Sequence, residues 1–263
     1  MNSRILFYFL FVFALISCND DDEGGFPSST GIEGRILTQD EFQRPLYEER
    51  DSVELQLEVG FNNFEINGDN VGQWRFSRAP VGTYKITVAK EGFGTIERRD
   101  VRISTVTPEF SVFNGFQKLP TFVLTEKPNT QFQNVELNLS FDTQVIEEML
   151  EDTIWNLNMT AVVSPAPPPT GERKGYRVFW GTDAFLSSEN YLFQAHYTTL
   201  NENIELNFND PIFNALGIKS GDVIYAQFFG DSNFNLEYIT EVGVRIFPNI
   251  SENPSAVFSV VLP

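Results

Sequence analysis

Val53-Glu54-Leu55-Gln56-Leu57-Glu58-Val59 alternates apolar and polar residues without interruption, and a side-chain period of two puts Val53, Leu55, Leu57 and Val59 on one face of a β-strand. The same pattern recurs on both sides of it. Upstream, Ile32, Gly34 and Ile36 share a face; downstream, so do Trp74 and Phe76, then Tyr84, Ile86 and Val88, then Val101 and Ile103. Between the runs stand turn compositions: Asn67-Gly68-Asp69-Asn70, Pro80-Val81-Gly82, and Glu91-Gly92 after a strand end. Short alternating runs separated by turns every eight to twelve residues or so describe an antiparallel sandwich, and no helix is needed.

The apolar runs between Phe110 and Leu124 complete this first sandwich, and Glu126-Lys127-Pro128-Asn129-Thr130-Gln131 is the polar, proline-bearing break expected between domains. Alternation then resumes with Val135, Leu137, Leu139 and Phe141, and again with Trp155, Leu157, Met159 and Ala161. From Thr143 to Glu151 the apolar residues Val145, Ile146, Met149 and Leu150 fall at helical spacing, which predicts one short amphipathic helix or turn. Pro165-Ala166-Pro167-Pro168-Pro169-Thr170-Gly171 is a stiff extended loop. Tyr176 to Trp180 and Tyr191 to Phe193 lack clean alternation, as if both faces were covered; Ile204, Leu206 and Phe208 restore it, and Val257 to Leu262 makes a last strand. The expected fold class is all-β: two tandem antiparallel β-sandwiches behind a signal peptide and a flexible tether.

The leader comes from the other end of the chain. Ile5 to Ile16 is an unbroken apolar run of twelve residues behind Arg4, the size of a signal-peptide core and too short to span a bilayer. Asn19-Asp20-Asp21-Asp22-Glu23-Gly24-Gly25 and the polar residues up to Thr30 cannot bury enough apolar surface to fold and form a tether. The whole chain has 18 basic and 36 acidic residues and a formal net charge of −18; the leader contains Arg4 and no acid, so its loss leaves −19. That charge argues against nucleic acid or anionic lipid surfaces as partners.

Leu15-Ile16-Ser17-Cys18 resembles the lipobox of bacterial lipoproteins. The resemblance implies cleavage before Cys18, acylation of its thiol, and attachment to a membrane through the lipid anchor at Cys18 without a spanning helix. Cys18 is the only cysteine, so once acylated it leaves no thiol for a disulfide or a thiolate metal site. The acidic residues behind it resemble the surface-export signal of Bacteroidetes lipoproteins, which implies an outer-membrane location facing the cell exterior. Gly31-x-x-Gly34-x-Ile36, Trp74-x-Phe76, Ala79-Pro80-Val81-Gly82-Thr83-Tyr84 and Lys90-Glu91-Gly92-Phe93 resemble the carboxypeptidase regulatory-like, or prealbumin-like, module. Members of that family are mostly non-catalytic, and the likeness implies a turn glycine with unusual dihedrals at Gly82 and a core tyrosine at Tyr84. The copy departs from the family in a long acidic loop, Thr38 to Asp51, where variation for a partner is expected. Leu216 to Ala226 resembles the loop and F strand of fibronectin type III-like sandwiches. Asp51-Ser52-Val53 and Asp152-Thr153-Ile154 resemble the short O-glycosylation acceptor of Bacteroidetes. The implied organisation is a signal peptide at 1–17, a tether at 18–30, a carboxypeptidase regulatory-like sandwich at 31–125 and a fibronectin III/Ig-like sandwich at 132–263.

Little in the chain points to chemistry. Acyl transfer of the Ser-His-Asp kind needs an imidazole beside the nucleophile, and the one histidine is His196, in Gln194-Ala195-His196-Tyr197. No Gly-rich phosphate loop, His-x-x-x-His pair or cysteine cluster occurs. Acidic residues are so numerous that carboxylate pairs arise by chance, and nothing singles out two of them. No cofactor and no metal are expected. Trp180, Phe185, Tyr191, Phe193 and Tyr197 crowd one region of the second sandwich and form a candidate ligand platform, since exposed rings stack on sugars. The expected function is therefore non-enzymatic: a lipid-anchored surface protein presenting two sandwiches to a glycan, a protein ligand or an outer-membrane transport partner. A pilus-type structural subunit and an accessory component of a glycan-degrading system are the alternatives.

Overall fold

The computed structural model describes residues 29–47, 53–69, 72–105, 112–113, 116–147, 150–209, 213 and 215–262, with the backbone alone at 112–113, 141–147, 150–155 and 209. Cys18, the signal peptide, most of the tether, Asp51 and Ser52 lie outside the described residues.

The first half of the chain supplies nine strands: β1 (Ser29–Gln39), β2 (Glu54–Val59), β3 (Asn62–Asn67), β4 (Gln73–Pro80), β5 (Gly82–Ala89), β6 (Ile96–Ile103), β7 (Val112–Phe113), β8 (Phe116–Lys118) and β9 (Phe122–Thr125). One sheet has the order β3-β2-β5-β6; the other has β4-β1-β8-β7, with β9 also pairing β1. The alternating residues do what their spacing demands. Leu55, Leu57, Ile86, Val88 and Ile103 from one sheet meet Ile32, Ile36 and Trp74 from the other in a single buried cluster, the layered arrangement of a sandwich.

Three details depart from expectation. Ser29 and Thr30 are already in β1, opposite Pro80 and Ala79, so the strand begins inside the segment read as tether. β8 and β9 run parallel to β1, with Gly31 opposite Phe116 and Ile36 opposite Phe122; the sheet is mixed because the chain reaches the free edge of β1 by a crossover rather than a hairpin. Gly82 is required by space and not by its dihedrals: its φ is not positive, but a Cβ there would lie 2.7 Å from Val59 Cγ2. Tyr84 enters the core as expected, 1% exposed, and its hydroxyl donates to the Pro80 carbonyl at 2.7 Å. Burial pushes that phenol up to about 12.

The second half supplies β10 (Gln131–Glu147), β11 (Leu150–Ser164), β12 (Lys174–Gly181), β13 (Phe193–Thr199), β14 (Asn203–Asn209), β15 (Val223–Asp231), the short pair β16 (Tyr238–Ile239) and β17 (Arg245–Ile246), and β18 (Phe258–Val261). Their sheets have the orders β10-β11-β14, β13-β12-β15-β18 and β16-β17. Where the spacing predicts a helix or turn from Thr143 to Glu151, the described residues on either side of 148–149 are strand. The β10–β11 ladder reaches Val145 facing Glu151 and Glu147 facing Leu150, because backbone pairing along a long hairpin outweighs the helical spacing of these residues. β12 and β15 are covered on both faces. Tyr176, Val178 and Trp180 with Ala226 and Phe228 join a core against β11. Phe179 and Phe229, one residue out of phase, join a second cluster with Leu186 and Phe247.

Candidate functional site

What covers the outer face of the β12–β15 sheet is the irregular chain from Ser232 to Ala256, together with the loop from Thr182 to Leu192. Beneath this cover the odd-numbered residues of the strands bring polar groups together. The Arg177 guanidinium, fully buried, donates through Nε to Asp231 Oδ2 at 3.0 Å and lies 4.3 Å from the centre of the Phe247 ring. Its other nitrogens donate to Gln194 Oε1 and Asn235 Oδ1. Burial holds the Asp231 carboxyl above the usual carboxylate range, while Arg177, His196 and the bond from Ser232 N pull the other way. His196 Nε2 is 2.9 Å from the Ser232 carbonyl, so that nitrogen carries the proton. The Ser232 hydroxyl donates to Phe234 O at 2.9 Å and accepts from Asn249 at 3.0 Å. The imidazole thus meets the carbonyl of this serine and not its hydroxyl, which is a brace for the loop rather than a nucleophile and its base.

The cluster extends to the N-terminal half. The Asn233 amide donates to the Glu41 carbonyl at 3.1 Å, and Lys174, itself buried, places Nζ 3.6 Å from Glu41 Oε1 and 3.1 Å from Thr130 Oγ1. Burial raises the Glu41 carboxyl above its ordinary value, with Lys174 opposing. Arg44 is held by Asp40 at 2.6 Å and reaches to 3.8 Å from Glu172. The described part of the long loop, up to Tyr47, therefore faces the chain's own second half. Lys127 and Glu252 pair at 2.7 Å. At Gly94 the two halves touch: a Cβ there would lie 2.1 Å from Asn249 Oδ1 and 2.7 Å from the Pro248 carbonyl.

Beside that contact the seam opens into a cleft of about 820 Å³, inside the range of roughly 300–1,000 Å³ typical of ligand sites. Thr95 and Lys127 line it from the N-terminal side, and Phe229, Phe247, Pro248 and Ile250 from the C-terminal side. Gln227 of β15 lines it too. A second hollow of about 700 Å³, with Lys90, Glu91 and Phe93, shares Thr95, Lys127 and Glu252 with the first. Among the described residues, no group of three or more His, Cys, Asp and Glu side chains is placed to hold a metal ion.

The aromatic residues singled out in the sequence do not form one platform. Trp180 is 2% exposed, packed edge-on to Phe208 with ring centres 4.7 Å apart. Phe193 and Tyr197 pack against the same core, and Tyr197 stacks on Tyr176 at 5.5 Å. Tyr191 faces the opposite way, edge-on to Phe179. Only Phe185 is a free surface ring, 82% exposed. The reason is the strand period: Trp180, Phe193 and Tyr197 take the inner face, which leaves Tyr191 and Phe185 to the outer loops. Gln227 and the cleft carried no sequence signal beyond a polar residue between two apolar ones in a covered strand.

No family model matches this chain, and no curated protein matches it. Among solved structures, it is similar to a DUF3823 family protein from Parabacteroides merdae, at 15% identity and a TM-score of 0.31 over 89% of this chain and 98% of that one. A putative carbohydrate binding protein from Bacteroides uniformis aligns at 13% identity and a TM-score of 0.30, over 88% of this chain and 98% of that one. A full-length major pilin from Corynebacterium diphtheriae aligns at 10% identity and a TM-score of 0.30, over 90% of this chain and 66% of that one. Likenesses this weak decide neither fold nor ligand, which rest on the geometry above.

Proposed function

We propose that this chain is a lipid-anchored binding protein of the outer membrane, facing the cell exterior, that holds its ligand in the seam between two β-sandwich units and does not turn it over. The cleft lined by Thr95 and Lys127 on one side and by Phe247 to Ile250 on the other is the observation that carries this reading. It is the size of a ligand site, and its lining mixes apolar side chains such as Phe229 and Phe247 with polar ones such as Gln227 and Ser251. Anchoring is supported by Leu15-Ile16-Ser17-Cys18 and the acidic stretch behind it. The division into a unit ending near Thr125 and a unit beginning near Gln131 is supported by two separate clusters of core residues, one from each half. Both units are β-rich scaffolds whose polar seam positions loops, and the absence of turnover is proposed because His196 and Ser232 are engaged with the backbone.

The test is retention of polysaccharides and matrix proteins by full-length protein, with product analysis after long incubation. Retention should be lost in Ser188→Trp, which puts a large ring in the lining of the cleft, and kept in Phe61→Ala, a fully exposed ring outside that lining in the β2–β3 turn. Cys18→Ser should move the protein from the detergent phase to the aqueous phase. Release of products, or retention indifferent to Ser188→Trp, overturns the corresponding half of the reading.

A further inference from the structure

Gln227 lies in the wall of the seam cleft with an acceptor that nothing satisfies. The residue is 8% exposed, its Nε2 donates to the Ser255 carbonyl at 3.0 Å, and its Oε1 is buried without a hydrogen-bond partner. Exchanging the two amide atoms does not help, because the Ser255 carbonyl only accepts and would then face an oxygen. A buried polar atom left unpaired is costly and calls for an explanation. The lining residues Phe229, Phe247, Pro248 and Ile250 have no donor in their side chains, and Asn249 between them donates to the Ser232 hydroxyl.

The charges of the cleft are already spent. Lys127 and Glu252, the charged residues among its described lining, pair at 2.7 Å, so the cleft presents no net charge. A charged ligand would meet no opposite charge there that is not already paired. The cleft thus asks for a neutral molecule with at least one donor and with apolar faces to lie against Phe229, Phe247, Pro248 and Ile250. A peptide amide donates without accepting, whereas the hydroxyls that line the cleft, those of Thr95, Ser187, Ser188, Tyr238 and Ser251, suit partners that do both. A sugar hydroxyl both donates and accepts, and the C–H faces of a pyranose ring suit aromatic and proline surfaces.

We infer that the cleft binds a neutral saccharide, one hydroxyl of which donates to Gln227 Oε1. This rests on the reading of the seam as the ligand site. Oε1 is buried, so reaching it requires the amide to turn about its terminal side-chain torsion, the softest one glutamine has. The inserted hydroxyl then removes the unpaired acceptor, so affinity gains from an interaction the empty protein lacks.

The experiment is calorimetric titration of the full-length protein, in a zwitterionic rather than a glycosidic detergent, with neutral tetrasaccharides of glucose, mannose and xylose in different linkages. Tetragalacturonate and a neutral Gly-Ser-Tyr-Gly peptide are the other arms. A neutral tetrasaccharide should bind and the anionic one should not. Gln227→Leu should weaken binding about five- to tenfold, the share of one hydrogen bond, and Ser188→Trp should abolish it with the unfolding midpoint unchanged. If Gln227→Leu proves unstable, Gln227→Met is the second variant: it keeps the length of the side chain but carries no amide acceptor, and should weaken the same sugar. Peptide binding that Ser188→Trp blocks, without saccharide binding, overturns the saccharide and leaves the seam as the ligand site. Saccharide binding that survives Ser188→Trp overturns both. No binding by any neutral saccharide overturns this inference, as does binding unaffected by the Gln227 variants.

Discussion

Arg177 and Asp231 meet inside the second sandwich, Nε and Nη2 lying 3.0 and 2.9 Å from the same carboxylate oxygen, with the arginine side chain wholly removed from solvent. They lie diagonally across the β12–β15 ladder, where Arg177 is opposite Phe229 and Asp231 opposite Gly175, and the pair holds the loop that forms one wall of the cleft, since Asn235 and Phe247 also lie on the guanidinium.

Breaking this pair from one side leaves a buried charge alone. Asp231→Ala should cost about 3–5 kcal/mol, while replacing both partners by apolar residues, Arg177→Met with Asp231→Leu, should recover much of that loss. Urea unfolding of the two single variants and the double variant measures the coupling. A single variant as stable as wild type would show the pair to be dispensable.

Glu41 gives the seam a pH dependence of known sign. Burial raises its carboxyl in the folded chain, so the folded state takes up this proton at a higher pH than the unfolded state does. The associated stability is full below the unfolded value and lost as pH rises through the folded one. Wild type should therefore lose stability more steeply than Glu41→Gln as pH rises from the ordinary carboxylate range toward neutrality, at constant ionic strength. Asp231 shifts in the same direction but is present in both proteins. Parallel urea midpoints across that range would exclude Glu41 as the source.

Gly94 permits the two halves to touch. A methyl group there meets the Pro248 carbonyl, which is backbone and cannot turn aside, at 2.7 Å. Gly94→Ala should lower stability by about 1–3 kcal/mol and make the chain near Lys127 easier to cleave. Limited proteolysis with a lysine-specific protease reads this directly, and unchanged cleavage would mean the halves do not depend on that contact.

The aromatic residues of the second sandwich should separate by face. Trp180→Ala removes a core ring and should cost roughly 3–5 kcal/mol. Phe185→Ala changes an exposed side chain and should stay within about 0.5 kcal/mol of wild type. Thermal and urea unfolding together give the comparison.

The strands and their inner faces were legible in the sequence, because the alternation of Val53 to Val59 or of Val135 to Leu139 is a local property and the period of a strand does not depend on where the strand goes. Tyr84 could be assigned to the core for the same reason. Three things depended on which segments pair and pack together. The parallel pairing of Ile36 with Phe122 depends on a crossover that no local pattern encodes. The helical spacing of Val145 and Ile146 lost to a ladder whose other strand begins at Leu150. Trp180 and Tyr191, eleven residues apart, ended on opposite faces of one sheet, so a cluster in sequence became two in space. Arg177 stands in a run whose lack of alternation already read as covered on both faces, but what covers it and Gln227 is the chain beyond Ser232, and it is this cover, set by tertiary packing alone, that buries an ion pair, strands the Gln227 acceptor and leaves a cleft beside it.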